Sequence, residues 1–205
     1  MKLIIAGGGS SGLGVALAAA QRSWNVLLIE AQDIGGGTST ASTKLIHGGL
    51  RYLETAIRRL RYTDWTLVKE ALRERHWMLN SHADLCRSIS LVLPVGSRVD
   101  KLYYGVGLYL YHWLSYPYQL RAPQYLSQRE LSGSFPLIRE NFIGGWRFWD
   151  GQFQDRLYAV HLALFLRERY GVEIQTHSKV IDIIPRGKEV VVRMRQCMKK
   201  WGTFS

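Results

Sequence analysis

Residues 3–6 form a short apolar run with no polar face, the pattern of a strand buried on both sides. The run after Gly12 is rich in Ala and Leu and predicts a helix. A second apolar run starts at Asn25 and ends at the acidic Glu30. Across residues 55–80 the rhythm changes. Ile57, Leu60, Leu67, Val68, Ala71, Leu72, Met78 and Leu79 recur at three- and four-residue steps, which predicts an amphipathic helix. Arg58, Arg59, Arg61, Lys69, Arg73 and Arg75 are read as its opposite, solvated face, with contact to anionic lipid as the alternative. Residues 89–95 are apolar but broken by Pro94, as on an edge strand.

Residues 102–120 contain no Asp, Glu, Lys or Arg and are nearly long enough to span a bilayer. Gly105, Gly107 and Pro117 interrupt the run, and tyrosines and His112 dilute it, so a span is rejected. Burial inside the protein is favoured narrowly over an interfacial patch. Ser127 and Glu130 have capping-box spacing. Residues 157–170 predict a helix ended by Gly171 in the left-handed cap position. Residues 172–176, 179–184 and 189–193 predict strands, with a turn at Pro185-Arg186-Gly187. From Gln196 onward the pattern is lost.

The chemistry enters with the glycines. Gly7, Gly9 and Gly12 give G-x-G-x-x-G between the first strand and the first helix, and Glu30 follows about 18 residues later. This is the dinucleotide-binding fingerprint in its required setting. Gly7 allows the tight turn, Gly9 lets a pyrophosphate approach the backbone, and Gly12 lets helix and strands pack closely. The helix N-terminus offers N–H groups to phosphate. A carboxylate at Glu30 accepts ribose hydroxyls and disfavours a 2′-phosphate, which argues against NADP. The alternative is a glycine-rich turn with no ligand. Residues 31–54 are rich in Gly, Ser and Thr. Gly35, Gly36 and Gly37 permit another close approach. Ser39, Thr40, Ser42 and Thr43 suit phosphate or a helix cap. His47-Gly48-Gly49 brings backbone close to something, with Arg51 and Tyr52 just beyond.

The 205 residues, 47% hydrophobic and 21% charged, suffice for one or two globular domains. A net charge of +11 points to anionic partners: phosphorylated ligands, a membrane surface or nucleic acid. Basic residues are scattered without a nucleic-acid motif, so nucleic acid is excluded as a partner. Cys86 and Cys197 form no CxxC, which fits a reducing compartment and gives no metal site. The first strand begins at once, and no signal or transit peptide is expected.

The run TSTASTKLIHGGLRYLE, with GGGSSGLG near the start and IEAQD around Glu30, resembles the signature of the FAD-dependent, respiratory glycerol-3-phosphate dehydrogenases. LVKEALRER and the segment around Asp150-Gly151-Gln152 are also similar to this family. The resemblance implies oxidation of sn-glycerol 3-phosphate to dihydroxyacetone phosphate, by hydride transfer to flavin, with electrons passed to quinone at a membrane. It implies that Gly7, Gly9, Gly12 and Glu30 hold the ADP half of FAD, and that Ser39, Thr40 and Lys44 run beside pyrophosphate and flavin. His47, Gly48 and Gly49 would lie near the isoalloxazine, and Arg51 and Tyr52 would face the substrate. Val180 matches the place where backbone touches adenine. The base is unassigned, although His47 lies in the right segment. At Asp155 and Arg156 the chain departs from the family, which has an alanine between acid and arginine, so neither joins the site.

The implied fold is α/β: a Rossmann-like FAD-binding domain of the glutathione-reductase/D-amino-acid-oxidase type, interleaved with an incomplete α+β substrate domain. Residues 1–80 would be the first FAD-domain segment, 81–150 part of the substrate domain, 151–193 the return, and 194–205 a patternless tail. Complete family members are longer, so the chain reads as their N-terminal part. A peripheral protein on the cytoplasmic face of the cell membrane, or in the cytoplasm, is implied, and a homodimer is admitted. The rivals are an amine- or hydroxy-acid-oxidising flavoenzyme of the same fold, a fragment that binds FAD without catalysis, and a protein that binds NAD.

Overall fold

The computed structural model describes residues 2–37, 41–49, 62–138, 141–187 and 189–197. In chain order they form β1 (Lys2–Ala6), α1 (Ser10–Ala20), β2 (Asn25–Ile29), β3 (Leu45–Ile46), α2 (Tyr62–Ser81), β4 (Cys86–Val95) and α3 (Arg98–Leu114). Then come β5 (Gln124–Ser127), α4 (Gln128–Ser134), β6 (Gly144–Phe153), α5 (Asp155–Tyr170), β7 (Glu173–Gln175), β8 (Ser178–Arg186) and β9 (Glu189–Gln196). The fold is mixed α/β. It divides into two units, Met1–Thr43 with Gln154–Ser205, and Lys44–Phe153.

In the first unit β1, β2 and β7 form a parallel sheet in the order β1-β2-β7, with Ile5 opposite Leu28 and Ala6 opposite Ile29. Leu13, Ala16, Ala19 and Ala20 of α1 meet Ala159, Ala163 and Leu166 of α5 and Ile5, Val26 and Leu28 of the strands in one core. Small alanines on both helices let the backbones approach, and Leu13 and Leu166 fill the remaining space. Burial on both faces holds for β2, where Val26, Leu28 and Ile29 are buried, but not for β1. In β1 only Ile5 is buried, because β1 lies at the end of the sheet order. Helix α5 begins at Asp155, earlier than its apolar pattern suggested, and ends at Gly171 with φ 65°, as expected. Strands β8 and β9 form an antiparallel pair. Pro185 and Arg186 were expected in the turn, yet they belong to β8 and lie opposite Val190 and Glu189. Gly187, at φ 62°, is where the chain turns.

In the second unit β6 is central. It pairs with β4 along one edge and with β5 and then β3 along the other, all antiparallel. β4 lies at the end of the sheet order, as Pro94 suggested, but starts at Cys86. Val68 and Leu72 of α2 pack with Tyr111 of α3. The Ser127–Glu130 capping box is present at the start of α4. The tyrosine-rich run was expected to be buried, and this holds for one side of α3 only. Gly105, Leu108 and Tyr111 face inward, whereas Leu102 is 71% and Trp113 69% exposed. Gly105 is needed there because a Cβ would stand 2.5 Å from the Trp146 ring. No helix among the described residues is long and apolar enough to cross a membrane.

Candidate functional site

The glycine turn of the first unit is closed by contacts that few other residues would allow. Gly7 sits at φ 111°, in the region that glycine favours, and its N–H donates to the Ile29 carbonyl at 2.7 Å. A Cβ on Gly12 would be driven into the Gly7 carbonyl oxygen. Gly9 is the N-cap of α1 and supplies no side-chain cap, so no side chain of its own covers the first turn of the helix. Gly8, which lies between the first two glycines of the G-x-G-x-x-G pattern, is equally constrained. A Cβ there would lie 2.6 Å from Ile34 Cδ1 and 3.1 Å from Glu30 Cβ. Three adjacent glycines were the available signal.

Glu30 braces this turn. The Gly8 N–H donates to its Oε2 at 2.6 Å and the Gln32 N–H to its Oε1 at 2.8 Å. A carboxylate has about four acceptor positions, so acceptor capacity is left for a ligand hydroxyl. The chain then folds back, with the Gly35 N–H donating to the Gly8 carbonyl at 3.1 Å. Gly35, at φ 66°, packs against α5, where an added Cβ would lie 3.1 Å from that of Ala159. Asp155, set aside in the sequence reading, is 7% exposed and has a positional task. Its Oδ2 accepts from Ser42 Oγ at 2.6 Å and its Oδ1 from the Arg156 N–H at 2.8 Å. It thereby fastens residue 42 to the start of α5. On the surface, Asp33 pairs with His177 at 3.1 Å and Arg156 at 3.6 Å. Val180 is half-buried in β8 opposite Met194, beside a register shift.

The second unit holds the His47-Gly48-Gly49 turn. The Gly48 N–H donates to Tyr111 Oη at 2.6 Å, and Tyr111 donates to Asp150 Oδ2 at 3.1 Å. Asp150 Oδ1 accepts from Arg75 at 3.0 Å and from the Gly151 N–H at 3.1 Å. Arg75 also reaches the Tyr118 carbonyl at 3.4 Å, while its Nε has no partner among the described residues. Burial pushes the Asp150 carboxyl up, opposed by the Arg75 charge; burial and the Asp150 charge hold Tyr111 as a neutral phenol. Gly48 owes its identity to this packing, since a Cβ would run into Leu72 and lie 2.6 Å from Tyr111 Oη. Gly49, at φ 77°, donates its N–H to His47 Nδ1 at 3.2 Å. A nitrogen that accepts carries no proton, so a neutral His47 holds its proton on Nε2. Lys44 is exposed at φ 57°, an uncommon conformation for a side-chain residue, and its carbonyl accepts from the Phe153 N–H at 3.0 Å.

The placement of Arg75 corrects the sequence reading, which put it on the solvated face of α2. It is 2% exposed, while Lys69 and Arg73 are exposed as expected. Ser39, Thr40, Arg51 and Tyr52 lie outside the described residues, as do residues 55–61 of the expected helix. No group of His, Cys, Asp and Glu that could hold a metal occurs among the described residues.

Residues 2–200 match the DAO family, described as FAD dependent oxidoreductase. A probable mitochondrial glycerol-3-phosphate dehydrogenase of Dictyostelium discoideum is 39% identical over 189 residues, 92% of this chain and 29% of that protein. A probable glycerol-3-phosphate dehydrogenase of Encephalitozoon cuniculi is 38% identical over 194 residues, 94% of this chain and 32% of its own length. The chain thus spans about a third of the curated relatives it matches. Among solved structures, the glycerol-3-phosphate dehydrogenase of Bacillus halodurans complexed with FAD superimposes with a TM-score of 0.65 at 21% identity, covering 96% of this chain and 30% of that one. At that identity the likeness speaks to fold.

Proposed function

Since the chain belongs to the DAO family of FAD dependent oxidoreductases, and FAD is that family's cofactor, we propose that it is the flavin-binding part of an enzyme that oxidises sn-glycerol 3-phosphate to dihydroxyacetone phosphate. The first unit fits the cofactor on its own geometry. A helix N-terminus capped by a glycine, and a turn in which Gly12 has no room for a Cβ, make a cradle for a diphosphate. Gly7, Gly9 and Gly12 would carry the backbone past the phosphates. Glu30 holds the turn in shape and would offer its spare lone pairs to the ribose. Ser39 and Thr40 would donate to the pyrophosphate, Lys44 would lie beside it, and Val180 would meet the adenine. Bound FAD supplies the two-electron oxidant.

The remaining work falls to the chain's own side chains. His47, Gly48 and Gly49 serve the isoalloxazine on this reading. His47 would present an Nε2–H donor rather than a base, since its Nδ1 accepts from the Gly49 N–H. Arg51 would grip the substrate phosphate bidentately and Tyr52 would hydrogen-bond beside it.

The observation that supports this substrate is the 39% identity sustained over 189 residues to a protein bearing that name. The test is turnover by the purified protein with a quinone analogue as acceptor, on glycerol 3-phosphate and on a panel of amino and hydroxy acids. Turnover of glycerol 3-phosphate alone is expected; preference for an amine would move the assignment to the amine-oxidising flavoenzymes. Transfer to quinone at the cytoplasmic face of a membrane belongs to the same proposal. It draws support from the exposed Val99, Leu102, Val106 and Trp113 beside Arg98 on α3. Co-sedimentation with anionic vesicles checks it, and sedimentation velocity checks the homodimer. A second reading, FAD binding without turnover, is suggested by the span of about a third of the relatives. The same assay separates it.

A further inference from the structure

We propose that Tyr111 is a positioning residue for the His47-Gly48-Gly49 turn, its hydroxyl fixing the Gly48 amide against the buried Asp150–Arg75 pair. The inference rests on the reading that this turn serves the flavin.

The hydrogen bonds can run in only one sense. The Gly48 N–H must donate, so the Tyr111 oxygen accepts. The single phenol proton is therefore left for Asp150 Oδ2, which as a carboxylate oxygen can only accept. Asp150 Oδ1 is taken by Arg75 and by the Gly151 N–H. Neither the Gly48 amide nor the Tyr111 hydroxyl has a second way to pair within the network, so it holds Gly48 in one orientation. That orientation places Gly49 with its N–H on His47 Nδ1 and sets the ring's tautomer.

Packing alone does not account for the hydroxyl. A phenylalanine would fill the same space beside Val68 and Leu72. Stability alone does not account for the ion pair either, since buried pairs are often neutral or unfavourable compared with apolar residues of the same shape. What the pair adds is a directed acceptor for one hydroxyl. That hydroxyl meets one backbone amide, in the segment where small displacements matter most to a reacting centre.

The test compares the purified, FAD-loaded protein with Tyr111→Phe and with Val68→Ala, which thins the same cluster without touching the hydroxyl. The readouts are the visible circular dichroism of the flavin band and the rate of anaerobic reduction by glycerol 3-phosphate. Tyr111→Phe is expected to keep FAD, change the band and slow reduction about tenfold. Val68→Ala is expected to lower the melting temperature and leave both readouts in place. If Tyr111→Phe matches the unmodified protein in both, or Val68→Ala changes both equally, the positioning role is overturned. An unmodified protein that holds no FAD, or whose FAD glycerol 3-phosphate does not reduce, overturns the functional reading and this inference with it. Failure of Tyr111→Phe to fold is met by hydrogen exchange on the unmodified protein. Slow exchange of the Gly48 amide supports the anchor, and exchange at the rate of an unbonded amide overturns it.

Discussion

Arg75 and Asp150 face each other at 3.0 Å with both side chains 2% exposed. One comes from a long helix and the other from the central strand of the second unit, 75 residues further along the chain. A lone charge at either position would be buried without a counter-ion. Arg75→Met is therefore expected to destabilise the unit by about 3–5 kcal/mol in urea unfolding. Adding Asp150→Leu should recover part of that loss, because the orphaned carboxylate is removed with its partner, while the Tyr111 hydroxyl and the Gly151 N–H lose their acceptor. A double variant no more stable than the single one would mean that the stranded carboxylate is not the source of the loss.

Gly12 and Gly14 sit two residues apart in α1 and should respond oppositely. Gly12→Ala drives a Cβ into the Gly7 carbonyl oxygen and should abolish FAD retention. Beyond its own turn of helix, no atom of the described residues lies within 4 Å of a Cβ added to Gly14. Gly14→Ala should keep FAD affinity and raise stability by about 0.5–1 kcal/mol, the helix-interior gain of alanine over glycine. Flavin fluorescence titration and thermal melting check the pair.

Glu30→Gln leaves one acceptor oxygen for two backbone donors, the N–H groups of Gly8 and Gln32. Hydrogen bonds to a charged group contribute roughly 1.5–3 kcal/mol. FAD affinity should therefore fall about 10- to 100-fold, measured by equilibrium titration, while the parallel sheet stays intact by circular dichroism.

How far the chain could be read depended on how far apart the cooperating residues lie. The glycine turn was legible because its parts are neighbours in sequence and each has one steric task. The Ser127–Glu130 box and the Gly171 cap were legible for the same reason. Arg75 was not, because its partner is distant and arginine on a helix is usually solvated. Its position did carry a signal: Val68, Leu72 and Arg75 are spaced i, i+4, i+7, which is one face. Tyr111 could not be told from its neighbouring tyrosines, since only the fold decides which side of α3 turns inward. Asp155 was obscured by a break in register with the family, although an acid in the first turn of a helix is a common anchor.

His112 supplies a pH dependence. Burial, and then the Arg75 charge, hold its pKa below the ordinary histidine value. A folded pKa below the unfolded one means that the unfolded chain takes up the proton first. The stability contribution is thus present above about pH 6.5 and is lost as pH falls through the lowered folded value. Proton NMR of the imidazole should give a midpoint below about 6.5. Arg75→Met should raise it only in part, because burial is the larger cause. A midpoint at the free-histidine value would remove this dependence.

The proposed role of the glycine turn is to hold FAD for the oxidation of glycerol 3-phosphate. Its most direct test is the visible spectrum of the purified protein reconstituted with FAD, recorded without oxygen before and after glycerol 3-phosphate is added. Retained FAD whose absorbance bleaches on that addition is the predicted result. A colourless protein after removal of excess FAD, or a flavin that bleaches with an amino acid but not with glycerol 3-phosphate, would contradict it.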